Sequence, residues 1–282
     1  MKVCPLCYSE RVVPYINVKG WTISRCFNCG VLYTVVEDKR VKERNNFYRD
    51  EYVNAYISRK KQLKNRFKEH LFRIEKYKRG GELLDLGCGI GYFIEIAEQS
   101  GNYSWKTRGL ELNKHLILRT KSEIRLKVVH GSIAKLPFKK SSFDCITCFD
   151  VLEHDLGLKS NLSEIIKILK KDGVIVIQAP NYKSLMAYWT GEKWDWWAPP
   201  DHVLHFSFKF LLTLLKENNF EILEAYTYEP TKDFLLNVKA KCGQSLIIKL
   251  LFYLIVPLLV ILERISWLFN YGALSFVIAK KK

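Results

Sequence analysis

Short apolar runs alternate with amphipathic segments through the middle of the chain. Glu82–Leu86 has the pattern of a short buried strand, and Tyr92–Gln99 has the apolar spacing of a helix. Phe143–Phe149 is a second apolar run of strand length, and the apolar stripe of Asn161–Lys171 is typical of a helix packed on a sheet. Because strands that alternate with helices form sheets covered on both faces, this pattern predicts a doubly wound α/β domain.

The composition adds a strong excess of positive charge. The 282 residues include 45 Lys and Arg against 29 Asp and Glu, a formal net charge of +16. Such a protein attracts polyanions, whether nucleic acid, an anionic membrane or a phosphorylated substrate. Residues 37–80 are rich in Lys and Arg and carry apolar residues at mostly helical spacing. We predict a basic helical connector there, with an apolar stripe against the core; a dedicated anion-binding face is the alternative.

The first 36 residues contain two Cys-x2-Cys pairs. Cys4 pairs with Cys7 and Cys26 with Cys29, and 18 residues separate the pairs, a spacing typical of a zinc site. Four thiolates leave no open position on the ion, so we predict a structural zinc ribbon over residues 1–36. Free thiols or disulfides are the alternative. The early cysteines and the lack of an apolar leader in Met1–Cys7 favour the reducing cytoplasm.

The segment Gly87–Gly91 is a glycine-rich turn between the predicted strand and helix, as in sites that hold nucleotide-type cofactors. Asp85 lies two residues before the first glycine, where its carboxylate would repel a pyrophosphate but attract a cationic group. Glu111 stands 20 positions beyond Gly91, at a predicted strand end, where it can accept hydrogen bonds from ribose hydroxyls. Cys88 suits the turn as a small side chain; it could also be a catalytic thiol, although no base adjoins it in sequence.

These residues and the segments that follow them resemble the class I S-adenosylmethionine-dependent methyltransferases of the type 11 and type 23 branches. The similarity starts at the Leu-Asp-Leu-Gly-Cys-Gly-x-Gly turn and covers about 100 residues. It continues through Gly131–Phe138, Ser142–Asp144, Asp150–His154 and Gly173–Asn181. The resemblance implies a Rossmann-like sheet of seven mostly parallel strands, the last one antiparallel, within residues 81–282. The final hairpin would consist of Glu221–Tyr228 and Leu274–Ala279.

The same resemblance implies which residues bind S-adenosylmethionine. The cofactor-binding residues in and before the turn would be Asp85, Gly87, Cys88, Gly89 and Gly91. Glu111 would hold the ribose, Ser132 and Ile133 would flank the adenine, and Phe149 would face the cleft. The family commonly has an Asp at the position of Ser132, so the serine hydroxyl implies a weaker hydrogen bond to the adenine amino group.

Two histidines and an aromatic segment follow the cofactor motifs. His154 and His202 are candidates for a catalytic base, which a protonated acceptor requires and which histidine can provide near neutral pH. The aromatic residues between positions 181 and 206 are predicted to wall the acceptor pocket, with Tyr182, Trp197 and His205 as substrate-binding residues. Alternatively, His154 only hydrogen-bonds the following loop, and the rings fill a gap between a lid and the core.

An apolar insertion interrupts the predicted final hairpin. Leu250–Leu262 has no charge but contains Pro257, and its 13 residues fall short of the roughly 20 needed to cross a bilayer. We predict that residues 234–271 contain interfacial helices that contact the cytoplasmic face of the membrane, aided by flanking Lys and Arg. A dimer interface and a lid over the cleft are the alternatives.

The sequence therefore favours a methyltransferase that acts on a small-molecule, sugar or lipid-linked acceptor at the cytoplasmic membrane face. Its cofactors would be S-adenosylmethionine and a structural zinc ion. An RNA methyltransferase is the alternative, because the Cys-Pro-Leu-Cys ribbon also resembles ribosomal-RNA guanine methyltransferases, which have a histidine at the position of Cys29. A third hypothesis is a non-catalytic zinc-ribbon interaction protein. Asp85, the glycines and Glu111, all intact, argue against that hypothesis.

Overall fold

The computed structural model of the chain describes residues 3–36, 50–99, 103–123, 127–230, 258 and 260–282. In chain order its strands are β1 (Val12–Val18), β2 (Trp21–Cys26), β3 (Leu32–Thr34), β4 (Gly81–Leu86), β5 (Trp105–Glu111), β6 (Val128–His130), β7 (Phe143–Phe149), β8 (Leu169–Pro180), β9 (Leu204–His205), β10 (Phe220–Tyr228) and β11 (Leu274–Lys281). Its α-helices are α1 (Asp50–Ser58), α2 (Lys60–Glu75), α3 (Tyr92–Gln99), α4 (Lys114–Glu123), α5 (Leu158–Ile168), α6 (Leu185–Thr190) and α7 (Phe208–Glu217). A further helix spans residues 260–268.

The larger sheet has seven strands in the order β10-β11-β8-β7-β4-β5-β6. The five strands from β8 to β6 are parallel, whereas β11 is antiparallel to both of its neighbours. All of β11 from Leu274 to Ala279 is buried, because it lies between two strands inside the sheet. The predicted fold, a doubly wound seven-stranded sheet whose last strand is antiparallel, is confirmed.

The crossover helix α5 lies three residues earlier than its predicted range of Asn161–Lys171. It begins at Leu158, and Leu169 already has extended backbone angles (φ −76°, ψ 132°). Leu169 pairs with Phe143 of β7, and Lys170 forms an ion pair of 2.6 Å with Asp144. Pairing with the neighbouring strand therefore overrides the helical spacing at the end of this segment.

The N-terminal ribbon shares a sheet with a strand from the second half of the chain. The smaller sheet has the order β1-β2-β3-β9, in which Leu32 pairs with His205 and Tyr33 with Leu204. Strands β1 and β2 form an antiparallel pair in which Val12 is opposite Cys26 and Val18 is opposite Trp21. The proposed boundary between residues 36 and 37 therefore separates two segments that meet again through β9.

The described part of the predicted connector lies on the larger domain. Residues 37–49 of that connector are outside the described residues. Helix α2 follows, and its apolar stripe is buried against the core, as predicted: Leu63, Phe67, Leu71 and Ile74. The same core cluster contains Tyr92 and Phe93 of α3, so α2 covers the face of the sheet on which the cofactor turn opens.

Most of the predicted apolar insertion, residues 234–257 and 259, lies outside the described residues. The 260–268 helix belongs to its second half and leads into β11. One side of this helix carries large apolar side chains that are exposed to solvent. We call this surface the apolar helix face, and it consists of Leu258, Ile261, Leu262, Ile265, Leu268 and Phe269. Within the described ranges, no helix combines the length and the apolar character needed for a membrane crossing.

Candidate active site

The glycine turn lies at the carboxyl end of β4, beside the loop that follows β7. Gly87, Gly89 and Gly91 have φ values of 67°, 56° and 87°, in the left-handed region that other residues disfavour. A Cβ on Gly87 would also lie 2.6 Å from Cγ2 of Val151. Glycine is therefore required at the start of this turn both by backbone angle and by space.

Asp85 is the last polar residue of β4 and is only 4% exposed. The Thr147 hydroxyl on β7 donates a hydrogen bond of 2.6 Å to its Oδ1. Burial raises the pKa of Asp85 to about 7, the Thr147 hydrogen bond acts in the opposite direction, and the nearby Glu111 carboxylate raises the pKa further. In the ligand-free protein this carboxyl is therefore partly protonated at neutral pH.

Glu111 ends β5 and is 8% exposed. It accepts hydrogen bonds from the backbone N–H groups of Gly89 (2.9 Å) and Asn113 (2.8 Å), so its carboxylate is fixed beside the turn. Burial raises the pKa of Glu111, although the backbone N–H groups of Asn113, Gly89 and Leu112 partly offset this effect. Two buried carboxylates thus converge on one glycine turn.

The electrostatics of the turn fit a cationic nucleoside cofactor. No Lys or Arg among the described residues forms an ion pair with Asp85 or Glu111. Buried charges normally have partners, so this pair favours a ligand that brings positive charge and hydroxyl donors. S-adenosylmethionine has an ammonium group, a sulfonium group and two ribose hydroxyls, and when bound it supplies an electrophilic methyl group.

Three other predicted cofactor residues lie in the turn or directly after β6. Cys88 is buried, and its Sγ would lie 2.5 Å from a Cβ on Gly109, so the thiol fills the space between the turn and β5. Burial raises its pKa well above the usual value, which argues against a thiolate nucleophile. Ser132 and Ile133 follow β6, and both are half-buried. The Ser132 hydroxyl accepts a hydrogen bond of 3.2 Å from the Ala134 N–H.

Aromatic side chains from α1 and α2 cover the turn and the end of β7. Tyr56 stacks on Tyr92 at 5.6 Å, and its hydroxyl would lie 3.1 Å from a Cβ on Gly89. Phe149, a predicted cofactor residue, stacks on Phe67 at 5.6 Å. The sequence stripe predicted that these helices pack on the core, but it did not predict their position over the cofactor turn.

A buried polar network beside the turn was not predicted. The Gln178 amide donates to both Asp150 oxygens at 2.8 Å, and its carbonyl oxygen lies 2.9 Å from His70 Nε2 and accepts a hydrogen bond from the Tyr228 hydroxyl. Burial, and then the charge of Arg66, lower the pKa of His70 to about 3, so its ring is neutral. One sequence signal was available: Gln178 is a polar residue inside the apolar run of β8.

Comparison with known proteins identifies the family. A family model described as a methyltransferase domain matches residues 56–225, which is more than half of the chain. The chain belongs to this methyltransferase family. The match begins in α1 and includes the glycine turn, Glu111 and, from the polar network, His70, Asp150 and Gln178 but not Tyr228. Residues 56–225 therefore form a methyltransferase domain with the class I fold, and the S-adenosylmethionine-dependent methyltransferases that it resembles support S-adenosylmethionine as its methyl donor.

Individual relatives resemble parts of this methyltransferase. A demethylmenaquinone methyltransferase of Lactococcus lactis is 30% identical over 177 residues, 58% of this chain and 66% of that protein. A probable S-adenosylmethionine-dependent methyltransferase of Mycolicibacterium smegmatis is 27% identical over 103 residues, 36% of this chain and 39% of that protein. The matches thus span less than two thirds of these relatives. An Archaeoglobus fulgidus SAM-dependent methyltransferase has the same fold, with a TM-score of 0.57, 21% identity, and coverage of 79% of this chain and 94% of that one.

The two candidate base residues of the methyltransferase lie together. The ring centroids of His154 and His202 are 4.8 Å apart, and the rings are nearly perpendicular. His154 Nδ1 lies 3.0 Å from the carbonyl oxygen of Asp201, which is in a distant segment and not in the loop that follows His154. His205 points elsewhere: its Nε2 lies 3.0 Å from the Thr34 hydroxyl on β3. Whether either member of the pair acts as a base stays a prediction.

Tyr182 and Trp197 lie in the contact between the methyltransferase domain and the ribbon. Both pack in one cluster with Val18, Ile23 and Leu32. The Tyr182 hydroxyl donates to the Gly30 carbonyl (3.2 Å), and the Trp197 indole N–H donates to the Gly191 carbonyl (2.9 Å). We call this contact the ribbon junction. The rings fill the space between the ribbon and the larger domain, not a gap between a lid and the core, and their role in acceptor binding stays a prediction.

The four N-terminal cysteines converge on one point. Cys4 and Cys29 have their Sγ atoms 3.6 Å apart, and those of Cys7 and Cys26 are 3.5 Å apart. The four sulfurs lie within 4.8 Å of one another. Sulfurs bound to one tetrahedral zinc ion at about 2.3 Å would be separated by about 3.8 Å. The spacing of the four sulfur atoms therefore suits a metal ion bound by four thiolates.

Proposed function

We propose that this methyltransferase methylates a small molecule that carries a lipid chain, at the cytoplasmic face of the membrane. The observation that carries this proposal is the apolar helix face. Its residues are spaced at three, four and seven positions along the 260–268 helix, so they form one stripe, and Leu268 and Phe269 are 79% and 66% exposed. A contiguous exposed apolar stripe is typical of a surface that binds an apolar partner.

The helix that carries the apolar helix face packs against the carboxyl end of β10 through its opposite side. Trp267, on the same helix, contacts Tyr228 with ring centroids 6.5 Å apart. Tyr228 donates to Gln178, which in turn donates to Asp150 at the carboxyl end of β7. In doubly wound folds ligands bind at the carboxyl ends of the strands. A lipid chain lying on this helix would therefore place its reactive headgroup near the cleft.

The relatives and the charge support the same class of acceptor. The Lactococcus lactis relative is named for demethylmenaquinone, a quinone with a long apolar chain. The net charge of +16 favours binding of this protein to anionic lipid. A sugar carried on a lipid has the same combination of polar headgroup and apolar chain, so it belongs to the proposed class.

The proposal assigns roles to the residues of the cleft and the ribbon. Asp85 would bind the cationic end of S-adenosylmethionine and Glu111 its ribose, while Ser132 and Ile133 would flank the adenine. The N-terminal cysteines would hold one structural zinc ion, since four thiolates leave no open position for chemistry. This ion would stiffen a module that is too small to have a core of its own.

A panel of acceptors tests the proposal. Purified protein and labelled S-adenosylmethionine are incubated with a demethylated quinone that carries a prenyl chain, the same quinone without the chain, a sugar nucleotide, a lipid-linked sugar, and transcribed ribosomal RNA. We expect transfer to a chain-bearing acceptor and much less to its chain-free counterpart. Transfer to RNA alone would establish the RNA methyltransferase alternative, and transfer to the chain-free compounds alone would refute the lipid requirement.

Flotation with anionic vesicles tests the membrane contact separately. Leu268→Glu places a charge on the apolar helix face and should reduce the fraction of protein recovered with vesicles. Leu118→Glu is the matched control, because Leu118 is similarly exposed on α4, away from that face. Equal recovery of the wild type and both variants in the vesicle-free fraction would contradict membrane contact.

A further inference from the structure

A second cluster of potential metal ligands lies beside the cleft. Glu153, His154 and His202 each offer one ligand atom, and these atoms lie within 4.8 Å of one another. Glu153 and His154 belong to the short 3-10 helix after β7, and His202 lies just before β9. The cluster is therefore built from the loop beside the glycine turn and from the segment that joins the ribbon.

The Glu153 carboxyl group is buried without a partner. It is 1% exposed, and neither oxygen has a hydrogen-bond partner among the described residues. Leaving such a group without a partner destabilises the folded protein, and it does so more for a charged carboxylate than for a neutral carboxyl group. Burial, and then the charge of Asp150, raise the pKa of Glu153 well above its usual value. A protonated glutamic acid is one way to reduce this cost, and a bound cation is the other.

Both histidine rings are oriented as metal-binding histidines usually are. His154 Nδ1 lies 3.0 Å from the Asp201 carbonyl oxygen, and His202 Nδ1 lies 2.8 Å from that of Trp196. A carbonyl oxygen only accepts hydrogen bonds, so Nδ1 carries the hydrogen in each ring and Nε2 keeps its lone pair. Metal-bound imidazoles commonly donate their second N–H to a carbonyl or carboxylate in this way.

We propose that Glu153, His154 and His202 bind one divalent transition-metal ion. Two imidazole nitrogens and one carboxylate oxygen suit Zn²⁺, whereas Mg²⁺ prefers oxygen ligands alone. Ligands of a tetrahedral ion lie about 3.4 Å apart at bond lengths of about 2.1 Å, so the side chains would close by about 1 Å on binding. Three protein ligands leave a fourth position open, unlike the four-thiolate ribbon.

The ribbon fixes part of this site. The Thr34 hydroxyl donates to the His202 carbonyl at 2.6 Å, and the Val203 N–H donates to the Glu153 carbonyl at 2.9 Å. Strand β3 of the ribbon thus holds the segment that carries His202 against the 3-10 helix that carries Glu153. A metal-bound Nε2 cannot also accept a proton, so this assignment replaces a base role for the pair. Binding of an acceptor oxygen at the open position rests on the proposed function; the metal site itself does not.

Cobalt substitution tests the site in the full-length protein. A mild chelator empties a three-ligand site while the four-thiolate site keeps its ion, and the protein is then titrated with Co²⁺. We expect one ion per chain, with visible d–d bands but no thiolate-to-cobalt charge-transfer band. Glu153→Gln, which keeps the size of the side chain, and His154→Ala, at a half-buried position, should each weaken binding at least about tenfold. Glu164→Gln, an exposed glutamate on α5, should bind Co²⁺ like the wild type.

Three results would overturn the proposal: no Co²⁺ absorption in the wild type, absorption that carries the charge-transfer band, or unchanged binding in a folded Glu153→Gln or His154→Ala variant. Circular dichroism establishes which variants are folded. Co²⁺ binding by either folded variant is by itself sufficient to test the site. The titration contains neither cofactor nor acceptor. A failed acceptor panel would therefore refute the proposed function without affecting the metal site.

Discussion

The cofactor turn and the ribbon junction both lie at the carboxyl ends of the parallel strands, yet they differ in how their buried polar groups are satisfied. At the turn, Asp85 and Glu111 are buried charges whose raised pKa values show that the ligand-free protein holds them unfavourably. At the junction, Tyr182 and Trp197 bury large rings and donate their polar hydrogens to backbone carbonyls. The buried carboxylates of the turn destabilise the ligand-free protein but provide charges that a ligand can bind. The two rings of the junction stabilise the fold, and their polar hydrogens already have acceptors.

The largest expected effect is loss of the ribbon metal. Cys26→Ser should remove one zinc ion per chain, because zinc binding by such modules contributes on the order of 10 kcal/mol to their folding. Since β3 pairs with β9, we expect the melting temperature of the whole chain to fall. Metal analysis and calorimetric melting measure the two effects. Cys145→Ala, at a buried cysteine of β7, should keep the zinc, and an unchanged zinc content in Cys26→Ser would contradict the ribbon site.

A change at the junction should affect stability alone. Trp197→Ala removes a buried ring and should lower the free energy of unfolding by about 3–5 kcal/mol. The dissociation constant for S-adenosylmethionine should stay the same. Tyr188→Ala is the control, because this ring is 89% exposed and its loss should cost less than about 0.5 kcal/mol. A fall in cofactor affinity without a loss of stability would show that the comparison between the regions is wrong.

A change at the turn should have the opposite effect. Glu111→Gln removes a charge that the ribose hydroxyls would use and should weaken S-adenosylmethionine binding about 10- to 100-fold, or about 1.4–2.7 kcal/mol. Stability of the ligand-free protein should change little, because removal of the buried charge offsets the loss of one of the two backbone hydrogen bonds that Glu111 accepts. Isothermal calorimetry measures the affinity. Glu82→Gln, at the amino end of β4, is the control and should bind like the wild type.

The smallest effect is the pH dependence of cofactor binding. The Asp85 pKa is about 7 in the ligand-free protein, and a cationic ligand favours its carboxylate, so binding releases a proton. The affinity should rise as the pH approaches 7, by up to about tenfold per pH unit, and level off above it. The raised folded-state pKa also means that unfolding becomes easier as the pH rises from about 4 to 7. A flat affinity profile, measured by calorimetry, would contradict the raised pKa.

The sequence predicted those parts of the molecule in which neighbours in the chain are neighbours in space. The strand, turn and helix around Asp85 are continuous in sequence. The glycines and the acidic residues could therefore be assigned to a cofactor turn from their spacing. The alternation of apolar segments was sufficient for a doubly wound α/β domain. The seven strands and the final hairpin of Glu221–Tyr228 and Leu274–Ala279 were predicted only through the family resemblance, because the two arms of that hairpin are far apart in the chain.

Contacts between distant parts of the chain could not be predicted in this way. Thr34 and the His202 carbonyl are separated by 168 positions, and His70 and Gln178 by 108. Strand β9 has only two residues, too few to show a periodic pattern, and it exists because β3 pairs with it. The aromatic segment was recognised, but its composition alone did not distinguish an acceptor wall from a packing surface.

Titration of the ligand-free protein with S-adenosylmethionine tests the central claim most directly. At a pH well above 7, where Asp85 is ionised, the wild type should bind one equivalent and Asp85→Asn should bind at least about tenfold more weakly, because a charged partner of the cofactor is lost. The variant should melt at the same or a higher temperature than the wild type. No binding by the wild type, or equal binding by a folded Asp85→Asn variant, would contradict the assignment of this turn as the cofactor site.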